Sequence, residues 1–184
     1  MTIGAGYKGS SYEKNNAVFN FDVSGITDPS TITKEILTLQ YNSSALSSTT
    51  QTVTLARLNI PFVESSANWN DSSGVAGAWS GGEGAFGNAE LTQPTYTFSV
   101  GNGVSASVII DIKDLVVDAI TRRSGTLLLV AAIAGTPVGA GKGITKFESS
   151  ESSATKSALV VTQAAKVVWT GATDGQMNTG SNWS

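Results

Sequence analysis

The chain has 184 residues, 40% hydrophobic and 14% charged, with a net charge of −3 and an isoelectric point near 4.8. It holds no cysteine and no histidine, which excludes disulfides, thiolate metal sites and the commonest general base. No basic block is present to neutralise phosphates, and no run of about 18 apolar residues occurs, so neither nucleic-acid binding nor membrane insertion is expected.

The opening M-T-I-G-A-G-Y-K-G-S lacks the charged n-region and apolar h-region of a signal peptide. Three origins fit: a chain kept in its cell, a leader replaced by a cloning Met, or a phage virion protein released by lysis. Val18 to Val23 alternates, with Phe19, Phe21 and Val23 on one face, which predicts a strand with its aromatic face inward. G-I-T-D-P-S then turns the chain at Pro29. Ile32 to Tyr41 alternates less cleanly; a strand is favoured from Ile36, with a helical turn near Lys34 as the alternative. N-S-S-A-L-S-S-T-T reads as a hairpin-type loop, and Thr52 to Leu58 as a strand carrying Val53, Leu55 and Arg57 on one face.

The segment 62–84 reads F-V-E-S-S-A-N-W, a polar spacer, then W-S-G-G-E-G. A tryptophan ring is costly in an irregular polar segment unless it docks on something. Trp69 and Trp79 therefore predict a long loop folded back over a sheet, sealing one end of the core. Thr95 to Val100 is the next expected strand, G-N-G a tight turn, and Ser105 to Ile110 a further strand. In D-I-K-D-L-V-V-D-A-I-T-R-R the spacing of Ile112, Leu115, Val116, Ala119 and Ile120 is helical. Asp111 is the expected N-cap, Arg122 and Arg123 suit the C-terminal end, and Gly125 the stop. Leu127 to Ile133 is almost wholly apolar, which predicts a central strand buried on both faces. Gly135 to Gly143 is a loop, and Ile144–Phe147 and Ala158–Thr162 are the closing strands.

Together these elements predict an all-β fold, a jelly-roll-type antiparallel β-sandwich with one short helix. The expected organisation is a sandwich domain over 1–165, with 166–184 a linker or the start of a following module.

Several phrases, in order over Phe19 to Thr162, resemble the DNRLRE family of carbohydrate-binding-module-like sandwiches related to disaggregatase domains. They are F-N-F-D-V-S from Phe19, F-V-E-S-S-A-N-W from Phe62 after the strand ending near Arg57, and W-S-G-G-E-G from Trp79. D-I-K-D-L-V from Asp111 and F-E-S-S-E from Phe147, followed by A-L-V-V-T, complete the set. The family's arginine in the first phrase is Asn20 here, its first loop tryptophan is Phe62, and its proline before the last strand is Ser157 or Ala158. The family pattern implies a buried ion pair between that arginine and Glu151, and the position of the arginine is Asn20 here. The resemblance also implies a first strand absent or diverged, and a place in multi-domain surface proteins with roles in binding or adhesion.

Among candidate site residues, Trp69 and Trp79 could stack on sugar rings or simply pin the loop; Asn70 and Glu83 accompany them as partner-binding candidates. Glu64, Glu83, Glu148 and Glu151 could supply the paired carboxylates of a glycosidase. Alternatively, Glu64 and Glu151 cap backbone amides or pair with Arg57. Phe19, Phe21, Asp22, Arg57, Glu64 and Glu151 are expected to be structural. Asp71, within N-D-S-S-G, is the candidate ligand for a structural Ca2+; no other cofactor is expected. No G-x-S-x-G elbow occurs, and S-x-x-K appears only at Ser153 to Lys156, so no catalytic set is expected.

The resulting expectation is a non-enzymatic structural and adhesive module at a virion surface or outside the cell. Its partners would be a protein scaffold or copies of itself, as in a phage decoration or fibre protein. The alternative is a glycan-binding module of a secreted bacterial multi-domain protein, and a lyase or hydrolase fragment ranks third.

Overall fold

The computed structural model describes residues 2–8, 11–40, 50–68, 72, 79, 84–101, 107–133, 144–148 and 156–165. In chain order the strands are β1 (Thr2–Lys8), β2 (Ser11–Asn15), β3 (Ala17–Asp22), β4 (Ile32–Gln40), β5 (Gln51–Leu58) and β6 (Ala89–Glu90). There follow β7 (Tyr96–Val100), β8 (Ser107–Asp111), helix α1 (Lys113–Arg122), β9 (Thr126–Ala132), β10 (Ile144–Lys146) and β11 (Ala158–Gln163). All the strand pairs are antiparallel. One sheet runs β3-β9-β5-β6, with β7 also on β5; a second runs β11-β4-β8; a third, smaller one runs β10-β1-β2.

The first two sheets form an all-β sandwich around one apolar layer. Phe19, Val53, Leu55, Phe98, Leu127 and Leu129 enter it from one side, and Leu37, Leu39 and Ile110 from the other. The Phe147 ring meets Phe19 and Phe98 edge-on, at centroid distances of 6.1 and 6.4 Å. Consecutive strands cross between the sheets at β3–β4, β4–β5, β7–β8 and, through α1, β8–β9.

Several expectations change. The N-S-S-A-L-S-S-T-T segment does not close a hairpin, because β4 and β5 lie in different sheets, and the same holds for the G-N-G link between β7 and β8. Polar turn chemistry marks where the chain reverses but not which sheet it re-enters. Strands β1 and β2 occupy the start, where a first strand was expected to be absent or diverged. Strand β4 starts at Ile32 rather than Ile36, after a single 3₁₀ turn at Pro29–Thr31. A register shift against β11 lets Ile32 and the run Glu35, Leu37, Leu39 all point inward. That bulge explains the broken alternation in the sequence.

Helix α1 forms where the spacing predicts and buries Leu115, Val116 and Ala119. Asp111 is the last residue of β8 rather than the N-cap, which is Ile112; the Asp111 carboxylate accepts the Lys113 N–H from one residue earlier, at 3.1 Å. Gly125 ends the helix at φ +79°, its N–H donating to the Ala119 carbonyl. A Cβ there would lie 2.3 Å from the Ser24 backbone, so only glycine fits.

Candidate functional site

The outer face of the five-stranded sheet carries Ala56 and Leu58 from β5 and Val130 from β9, all buried. Described residues that follow β5 lie over Leu58 and Val130. Trp79 and Ala85 pack on Leu58 and Val130, with Phe62, Ala67 and Phe86 around them. The Trp79 ring is only 9% exposed, and its indole N–H donates to the Asn68 carbonyl at 2.7 Å. Trp79 therefore docks on a sheet as expected, but on an outer face rather than at an end of the main core. Trp79, a candidate for stacking on a ligand, spends its ring and its donor on holding this loop. Trp69, Asn70, Asp71, Glu83 and Glu151 lie outside the described residues.

Beside this loop a cleft of about 380 Å³ opens along β3. Val18, Asn20 and Phe21 of the strand line it together with Phe62, Glu64 and Glu148. Glu64 is exposed and makes no ion pair or hydrogen bond among the described residues, so it neither caps an amide nor meets Arg57. A second hollow of about 270 Å³ lies at the other end of β3, between Phe21, Asp22 and Val23 and the β11 residues Leu159 and Val161. Phe21 touches both hollows; it is half-buried and stacked on Phe19 at 6.4 Å. Asp22 is exposed. Hydrogen bonds from the Ser24 side chain and N–H (2.9 Å) hold its carboxyl below the usual range.

Arg57 is buried and points toward α1, where its guanidinium bonds Asp118 and lies 3.6 Å from Glu90, its cross-strand partner on β6. Arg123 (3.1 Å) and Arg122 (3.4 Å) complete the ring around Asp118. Burial opposes ionisation of Asp118, but hydrogen bonds from Arg123 and Arg57 and their charges outweigh it and hold the carboxyl low. Glu90 is held low by the Thr92 hydroxyl and N–H, and further by Arg57. The network ties the helix to the sheet. Its Asp118–Arg122 arm is an i,i+4 pair legible in the sequence; its Arg57 arm spans 61 positions and is not.

The outer face of the three-stranded sheet has no such covering loop among the described residues. Ile109 on β8 is 67% exposed and Val160 on β11 57%. Ile36 pairs directly with Val160, and Thr38 with both Ile109 and Ala158, so these side chains form one strip.

Among the described residues, no cluster of three or more His, Cys, Asp or Glu side chains is placed to hold a metal ion, and no helix is long and apolar enough to cross a membrane. No family model matches the chain, and no curated protein matches it.

Proposed function

We propose that the chain is a non-enzymatic structural and adhesive module that docks on a protein lattice, such as a phage capsid decoration or fibre protein. The observation that carries this reading is the use made of Trp79. A sugar-binding surface displays flat aromatic rings, whereas this ring is turned inward and its N–H is satisfied by Asn68. What the described residues display instead is the apolar Ile36–Ile109–Val160 strip. A net charge of −3 gives little repulsion between copies or against a lattice. The stiff two-sheet body would hold its loops and this strip in fixed positions, and a stable contact would bury at least about 1,000 Å² in total.

Light scattering together with a glycan array tests the reading. Concentration-dependent association, or cosedimentation with an assembled protein shell, supports it. A strict monomer that binds one glycan with sub-micromolar affinity overturns it in favour of a carbohydrate-binding module of a secreted protein.

A further inference from the structure

Strand β3 is the terminal strand of its sheet, paired with β9 on one side only. The Val23 N–H donates to the Gly125 carbonyl at 2.8 Å, in phase with the register that pairs Phe21 with Leu127 and Phe19 with Leu129. Antiparallel ladders alternate. Phe19 and Phe21 therefore exchange bonds with β9, while Val18, Asn20 and Asp22 turn their N–H and C=O groups outward. Among the described residues nothing pairs with that outer edge.

The two hollows lie along this same edge. Their walls include the carboxylates of Glu64, Glu148 and Asp22, and no lysine or arginine among the described residues. Electrostatic complementarity along this edge therefore selects a basic over an acidic occupant.

We propose that the outer edge of β3 receives an extended, basic segment of a partner protein as an added strand, with lysine or arginine side chains entering the two hollows. Main-chain bonds to Val18, Asn20 and Asp22 supply affinity, and the alternating side chains supply selectivity. Phe21 and Phe62 line the first hollow and add apolar surface for the stems of the basic side chains. The inference rests on the docking reading and names its partner's chemistry.

The test uses the full chain with two capped hexapeptides, one alternating valine and lysine, the other valine and glutamate, followed by fluorescence anisotropy and amide exchange. The lysine peptide should bind, lose affinity with added salt and slow exchange at Val18, Asn20 and Asp22. Asn20→Pro removes an outward N–H that β9 does not use; it should weaken binding by about tenfold or more, the scale of one or two lost hydrogen bonds. Should that variant fail to fold, the surface pair Glu64→Gln and Glu148→Gln carries the test, with weaker binding and a shallower salt dependence expected. Equal binding of the glutamate peptide, or no protection of β3 amides, overturns the proposal. If the chain still associates in light scattering while the lysine peptide does not bind, the strand-edge inference falls and the docking reading stands. Glycan binding by a strict monomer removes both.

Discussion

The two sheets of the sandwich treat their outer faces in opposite ways. The five-stranded sheet turns Leu58 and Val130 outward, and Trp79 and Ala85 pack over them in a second apolar cluster. The three-stranded sheet of β11, β4 and β8 leaves Ile109 and Val160 more than half exposed beside Ile36. Among the described residues, one outer face is closed by the chain itself and the other is left as surface. A buried outer face is a folding device, since its removal from water stabilises the sheet at about 25 cal/mol per Å². An apolar strip left in water makes no such contribution and is the kind of feature that marks a contact.

The largest effect is expected from Trp79→Ala. Removing a buried aromatic costs about 3–5 kcal/mol, so urea melts should show a large drop in midpoint. An unchanged midpoint would place the covered face on the same footing as the bare one.

Asp118→Asn should cost about 3 kcal/mol near neutral pH, because it leaves Arg57 buried with weaker compensation at the helix end of the covered sheet. The pH dependence has a definite sign. The folded Asp118 pKa is lowered, so its contribution is present above the unfolded value and is lost as pH falls through the folded one. The stability gap between wild type and Asp118→Asn should therefore narrow as melts are taken from neutral into the acid carboxylate range. A gap independent of pH would assign the loss to packing instead of charge.

Gly125→Ala should cost about 2–3 kcal/mol in thermal melts, from a left-handed backbone and a Cβ pressed on Ser24. Equal stability would mean that the turn joining α1 to β9 can shift away from Ser24.

On the bare face, Ile109→Thr and Val160→Thr should change stability by less than about 0.5 kcal/mol each, as exposed strand positions do. They should nevertheless reduce association in light scattering. A marked loss of stability would mean that this strip is also part of the folded interior.

Much of the fold was legible. Period-2 runs gave β3, β5 and β7, an almost continuous apolar run gave β9, and the change to helical spacing gave α1 within two residues at its start. The docking of a tryptophan-bearing loop on a sheet followed from the cost of an exposed ring. The hairpin expected between β4 and β5 failed because a turn signal is local, while sheet membership depends on which strands share an edge. The opening hairpin was missed because T-I-G-A-G-Y-K has too few apolar residues for a clear period.

The candidate site divides the same way. Phe19, Phe21, Arg57 and Trp79 were marked by residue type, but their partners were not. One reading paired Arg57 with Glu64 or Glu151, the other gave those carboxylates to backbone amides; Arg57 meets Asp118 and Glu90, because β5 carries it beside α1, while Glu64 lines the β3 cleft. Which residues turn inward along β3, β5 and β7, and where the helix lies, follow from hydrophobic periodicity, a property of each segment alone. Which strand edge stays open among the described residues, which outer face is covered and which carboxylates gather along β3 depend on segments brought together across many tens of residues.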